Sequence, residues 1–478
     1  MQFVSLEFLL FVAVSLGAFH LAPSLRAKRI VLLLSNLLFA AILVSSPRDM
    51  APMALFLAGS FGLVRLVHAR RTRVVVTVSL VVTIGAFIVL KQYIPAATLF
   101  PTLQQPYSVI GLSYVLFRVL HLLIDSHEGA IAEPISARAF VGYCCFFPAW
   151  LSGPIQRWED YAAQEAGMGD AVLDAGAVRS ALSRIVTGVF RIGVVSSVLY
   201  GLHAPVAGVR LDASHPVHFA STLATSATLY TLYMYYNFAG YMDVAIGVAR
   251  LYGFVLPENF LHPFRSQSML EFWTRWHITL SAWFHTYLFN PLLRALTTRF
   301  GTRRNLPYLG VVSYLATFTV MGAWHGATPV YVVYGLILGL TGAGNKLYEI
   351  EARRLLGKNE FRSLQANPLY AALCRGAVFA TFSGALVCFW APPHLLRAIL
   401  GSPGTVALAL LGLAVVAAAV LAAGSGLRRL EGGRGAPLLA SPRHPAWAHV
   451  ALGARAYAVL LLVAVQQTSV PTFVYVPF

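Results

Sequence analysis

Apolar residues come in long runs separated by short joints rich in arginine, and most runs approach or exceed the ~18–20 residues that carry a helix across a bilayer. The runs predict crossings over 3–22, 30–46, 52–68, 74–94, 107–124, 178–201, 219–240, 308–323, 329–345, 371–391, 404–424 and 447–468. The first has its basic cluster (Arg26, Lys28, Arg29) after it, not before, so it reads as a retained helix and not a cleaved signal. Two apolar stretches do not read as simple crossings. Phe140–Pro154 is short and broken at Gly153-Pro154, and the aromatic segment within Met269–Phe300 ends at Asn290-Pro291. Irregular backbone at membrane depth is tolerated where it lines a protein cavity, so both segments are expected to be re-entrant or interfacial. The fold class that follows is an all-α polytopic membrane protein.

Composition agrees: of 478 residues 58% are hydrophobic and only 11% charged, about half the charge of a soluble domain. The formal charge of +17 raises the question of nucleic acid, but the cations gather in alternate joints, the pattern of the positive-inside rule. Arg26/Lys28/Arg29, Arg70/Arg71/Arg73, Arg138/Arg157, Arg250/Arg265/Arg275, Lys346/Arg353/Arg354/Lys358 and Arg428/Arg429/Arg434 fall on one side. This excludes nucleic acid as the partner and predicts both termini on the non-cytoplasmic face. Cys144, Cys145, Cys374 and Cys388 lie in apolar stretches without metal-ligand spacing and read as small buried residues, lipidation or redox roles being the alternative. No metal is expected. By texture, 1–100 is transmembrane scaffold and 101–350 a core dense in aromatic, His, Asp, Asn and Gly residues. Residues 351–445 add further spans and a Gly-rich linker, and 446–478 a last helix with a tail.

Candidate chemistry lies in five places. Met321-Gly322-Ala323-Trp324-His325-Gly326-Ala327 sets a histidine between two apolar spans with no charge beside it. Ionisable groups at membrane depth are expensive and are functional candidates by default. Neutral imidazole takes a hydroxyl proton near neutral pH, so His325 is a candidate general base, or else a hydrogen-bonded core histidine. The flanking glycines would let a substrate approach the backbone. In Glu271–His285 the aromatics Phe272, Trp273, Trp276, Trp283 and Phe284 form an interfacial belt or, with Arg275 and His277, a cytoplasmic mouth for an anionic donor. Asn237 and Asp243 follow Tyr235-Tyr236; Asp243 needs a partner in an apolar span, and Arg250 stands one heptad on. Leu151-Ser152-Gly153-Pro154-Ile155-Gln156-Arg157-Trp158 reads as a turn. Finally, Phe473-Val474-Tyr475-Val476-Pro477-Phe478 is either an interfacial aromatic anchor or a tail whose Tyr475 is a swinging nucleophile.

Taken together, Ser152-Gly153-Pro154-Ile155, Asn237–Asp243, Pro257-Glu258-Asn259-Phe260, Phe272-Trp273-Thr274-Arg275-Trp276-His277 and Trp324-His325-Gly326 resemble the membrane-bound O-acyltransferase (MBOAT) superfamily. The resemblance is strong over about residues 105–345. It implies a ring of helices around a thinned central pore with re-entrant segments. His325 matches the essential histidine and His277 the second one implicated, with Trp324, Gly326, Trp276, Arg275, Asn237 and Asp243 as the substrate-binding surroundings. It also implies an extracytoplasmic SGNH-type esterase or acyltransferase partner. In one place the chain departs: bacterial relatives usually carry an Arg-Asp-aromatic run after the Trp-His helix, and here the residues are Phe284-His285-Thr286-Tyr287.

The tail, Phe473-x-Tyr475-x-x-Phe478, resembles the C-terminal motif of DltX, the small single-span partner in teichoic-acid D-alanylation, whose tyrosine is implicated as a transient acyl carrier. The expectation is a multi-pass protein of the bacterial cytoplasmic (inner) membrane, in contact with membrane lipid and without a tightly bound cofactor. A phosphopantetheine carrier-protein thioester, or acyl-CoA, would supply a D-alanyl or acetyl group on the cytoplasmic side. Tyr475 would receive it for O-acylation of an envelope glycan. Direct transfer to a polysaccharide is the enzymatic alternative, and a transporter or flippase the non-enzymatic one.

Overall fold

The computed structural model describes residues 5–43, 50–91, 93, 111–168, 174–209, 214–302, 305–431 and 445–465. In chain order its helices begin with α1 (Leu6–Leu21), α2 (Leu25–Leu43), α3 (Ala51–Arg70), α4 (Arg73–Leu90) and α5 (Leu112–Glu128). Short helices α6 (Ala137–Cys144), α7 (Phe147–Trp150) and α8 (Trp158–Gly167) precede α9 (Ala175–Phe190) and α10 (Ser197–Ala207), which a π turn over Arg191–Ser196 joins. Next come α11 (Pro216–Leu251), α12 (Met269–Trp273), α13 (Ile278–Phe284), a second π turn (His285–Phe289) and α14 (Asn290–Phe300). The chain continues with α15 (Leu306–His325), α16 (Pro329–Leu356), α17 (Lys358–Ala366), α18 (Pro368–Trp390), α19 (Pro393–Leu400), α20 (Pro403–Glu431) and α21 (Pro445–Val465).

Among the described residues seven helical stretches are long and apolar enough to cross a membrane: 51–70, 73–90, 175–207, 306–325, 329–356, 368–390 and 403–423. The chain is an all-α polytopic membrane protein. Several elements outrun the crossings that the apolar runs outlined. At 36 residues α11 is about 54 Å long, well beyond a ~30 Å hydrocarbon core. Asp243 and Arg250 therefore lie within the helix and not in a joint. Likewise α16 carries Lys346, Arg353 and Arg354 on its own last turns.

The chain divides into two units. One comprises 1–193, 238–258 and 455–478; the other 194–237 and 259–454. In the first, α5 is enclosed: Leu112, Tyr114 through Leu123 and Ser126 are all buried. A helix apolar all round is a core element, yet this one carries Arg118 and His121 inside. The Phe140–Pro154 stretch is not a crossing but the elbow of α6 and α7, with every residue from Cys144 to Ile155 buried. In the second unit α15 and α16 approach closely because Gly322 faces Gly335: a Cβ on Gly322 would lie 2.6 Å from the Gly335 Cα. Small residues at such crossings allow backbone contact. Leucine at Gly335 is expected to separate the helices and cost about 1–3 kcal/mol, read as a lower thermal midpoint in detergent. Alanine at Gly342, where a Cβ meets nothing within 4 Å, leaves the midpoint in place.

Candidate active site

The second unit holds both histidines. His325 is the last residue of α15 and is 5% exposed. Three rings enclose it: Trp324 at 4.8 Å between centroids, Phe389 at 5.3 Å and Tyr334 at 5.4 Å, the last two edge-on. The flanking glycines serve packing, not the open approach expected for a substrate. Gly322 meets Gly335, and a Cβ on Gly326 would fall 2.3 Å from the Tyr331 ring.

His277 is held by a different device. It caps α13 in left-handed backbone (φ 45°, ψ 52°) and is 2% exposed. A non-glycine residue there is uncommon, and such strain persists only where its surroundings over-determine it. Asn259 supplies much of that determination. Its backbone carbonyl accepts the Ile278 N–H at 3.0 Å. Its Oδ1 accepts from the Thr279 backbone N–H and hydroxyl, each at 3.0 Å, and stands 3.3 Å from His277 Nδ1. The two Thr279 donors identify that atom as the oxygen, so Nδ1 carries the proton and Nε2 presents the lone pair. Antiparallel pairing of Phe260 with Trp276 and a bond from Leu261 N–H to the Arg275 carbonyl at 2.9 Å extend this ladder.

Burial first, and the charge on His325 second, push the His277 imidazole well below its ordinary value. The second effect also makes the two histidines electrostatic neighbours. A histidine whose folded value is depressed contributes stability above its unfolded value of about 6.5 and loses it as pH falls below. The thermal midpoint is therefore expected to decline below pH 6.5, and His277→Gln to flatten that decline.

The remaining candidates have identifiable neighbours. Trp276 is packed among Phe272, Phe382 and Phe260 at 5.7, 4.7 and 5.0 Å, which makes it the centre of an aromatic cluster. Arg275 pairs with Glu271 at 2.9 Å. Asn237, 1% exposed, donates to Ser196 Oγ at 3.3 Å, at the end of the first π turn. In the first unit, Asp243 is paired as the apolar span demands, but not with Arg250. Its carboxylate lies between Arg184, at 3.0 Å, and Arg191, at 2.5 Å, while Arg250 donates to Ser180. Seven residues along one helix span about 10 Å, too far for an ion pair; Arg184 of α9 and Arg191, the first residue of the π turn that follows, straddle a carboxylate on another helix instead. Phe473, Tyr475 and Phe478 lie outside the described residues.

A cavity of about 370 Å³ is lined by α12, α13, the second π turn and α15; Ile278, next to His277, is on its wall, but neither His277 nor His325 lines it. Trp273, Ser281, His285, Phe289, Thr317 and Met321 are among its walls. The buried indole N–H of Trp273 has no hydrogen-bond partner among the described residues. Met321 stands one helical turn before His325. The lining is largely apolar with a few hydroxyls, the make-up of a small-molecule pocket, and π turns are frequent at functional sites. The departure residues His285 and Thr286 lie on this wall.

The profile of "MBOAT, membrane-bound O-acyltransferase family" matches residues 62–348, which include both histidines. The chain belongs to this family. Among curated relatives, the teichoic acid D-alanyltransferase of Bacillus subtilis (strain 168) is 29% identical over 48% of this chain and 56% of its own length. That of Streptococcus thermophilus is 29% identical over 60% of this chain and 68% of its own. The probable alginate O-acetylase AlgI of Azotobacter vinelandii is 31% identical over 51% and 45%. The matched part thus spans roughly half the length of these relatives.

Proposed function

We propose that this MBOAT chain is an acyltransferase of the bacterial inner membrane that delivers a D-alanyl or acetyl group for O-acylation of an envelope glycan. The observation that carries the reading is the enclosed His325 with the cavity wall at Met321 one turn away. The acyl donor is a cytoplasmic thioester, on a phosphopantetheine carrier protein or on coenzyme A, whose arm enters that cavity. The acceptor is the Tyr475 phenol, and the C-terminus is extracytoplasmic. A phenol of pKa ~10 is almost wholly protonated at neutral pH. His325 takes that proton as the oxygen attacks the thioester carbon; the C–S bond then breaks and the proton passes to the leaving thiolate. The products are a tyrosyl ester and a free thiol. The ester remains activated, so an extracytoplasmic SGNH-type partner passes the acyl group to the glycan. His277, with Nε2 presented by Asn259, serves the donor side.

A second reading has its own support in the alginate O-acetylase relatives: transfer goes directly to a polysaccharide hydroxyl, without a tyrosyl ester. Removal of residues 473–478 separates the two. The relay predicts that proteoliposomes carrying the truncated protein release thiol from the donor no faster than His325→Gln. Full thiol release with glycan present supports direct transfer.

A further inference from the structure

The first unit contains a buried polar system that the proposed chemistry does not use. Arg118 of α5 is 2% exposed, and its guanidinium donates to three backbone carbonyls: Tyr143 at 2.7 Å, Cys144 at 3.0 Å and Ala149 at 3.0 Å. These carbonyls lie at the C-terminal ends of α6 and α7, where arginine is a good partner. One turn along α5, His121 Nε2 accepts the Trp158 backbone N–H at 3.1 Å, and its Nδ1 stands 3.4 Å from the Tyr143 hydroxyl. That hydroxyl donates to the Gln156 carbonyl at 2.7 Å. From the other side Asn36 of α2, fully buried, accepts the Phe147 N–H at 2.9 Å and donates to the Gly142 carbonyl at 3.4 Å.

We infer that Arg118 and His121 are positioning residues, which clamp the entry and exit of the 143–158 elbow to α5 and so set the depth of its Ser152-Gly153-Pro154 tip. Arg118 grips the strand going in, His121 the strand coming out, and Asn36 pins the bend between α6 and α7. Backbone polar groups buried this deeply are costly without partners, and Arg118, His121 and Asn36 supply them here. The tip in turn meets α11: the Tyr241 phenol lies against the Ser152 backbone, one helical turn after Asn237. A planar fork that spans three carbonyls cannot be reproduced by a lysine ammonium.

Cys144 and Cys145, buried at 0% and 2%, report on the elbow directly. In a Cys374→Ser, Cys388→Ser background, maleimide labelling of the purified full-length protein reads how often the elbow opens. Arg118→Lys and His121→Leu are expected to speed labelling ~10-fold or more, as loss of charge-assisted or buried hydrogen bonds requires. Arg250→Lys, at a residue whose guanidinium donates to Ser180 of α9 and to no elbow residue, leaves the rate unchanged. Should Arg118→Lys not yield a monodisperse protein, Tyr143→Phe, which removes the bond to Gln156 and the contact with His121 Nδ1, is expected to raise the rate and decides the matter. Unchanged labelling in the variants that fold overturns the inference. The activity arm rests on the acyl transfer proposed above: Arg118→Lys lowers kcat while KM for the donor thioester stays. An inactive parent protein would sink that reading alone, because thiol labelling does not depend on turnover.

Discussion

Replacing His325 by glutamine is expected to lower acyl transfer ~10²–10⁴-fold, the range a positioned general base supplies. Glutamine keeps a polar side chain of similar reach at the end of α15 but cannot take up a proton. The surrounding Trp324, Tyr334 and Phe389 rings lose one aromatic neighbour, worth ~0.5–1.5 kcal/mol per ring pair beyond area burial, so the thermal midpoint falls modestly while the rate collapses. Steady-state release of thiol from a carrier-protein thioester, measured in proteoliposomes, checks the rate. Export of acyl groups that persists in this variant would favour a transporter instead.

The second large effect concerns the tail. Tyr475→Phe preserves the aromatic ring that could anchor at the interface and removes only the hydroxyl. On the relay mechanism transfer to the glycan falls as far as in His325→Gln, because both groups act on one bond-making step. Residues that act as a unit are strongly non-additive, so the double variant His325→Gln/Tyr475→Phe is expected to be no slower than either single one. A purely anchoring role predicts full activity for Tyr475→Phe. Multiplying losses in the double variant would place the two residues on separate steps.

Much of this architecture is legible in the hydrophobic pattern, because a helix in lipid must satisfy its backbone internally and so declares itself as an apolar run. The break at Gly153-Pro154 lies just past a real end of regular structure, but Asn290-Pro291 ends nothing: helical backbone runs on from α13 through the second π turn into α14. What the pattern misses are features set by tertiary partners. Asp243 asks for a cation, but the arginines that answer are 59 and 52 residues upstream, beyond any helical spacing. His277 adopts left-handed backbone without glycine or asparagine to signal it. The signal that could have found its support is Asn259, which follows Pro257-Glu258 and whose single oxygen organises the cap. The stripe of Arg118 and His121 was hidden by its setting, since an apolar run reads as lipid-facing until packing shows that it is enclosed. Gly326 carries no information about its neighbour; only the fold reveals the Tyr331 ring above it.

Intact-mass and fragment analysis of the C-terminal peptide, after incubation of the purified protein with a charged donor, bears most directly on the relay. The mechanism predicts one added acyl mass on Tyr475, lost on hydroxylamine treatment and absent in His325→Gln. A tail that stays unmodified while the same protein consumes thioester and acylates glycan would contradict it.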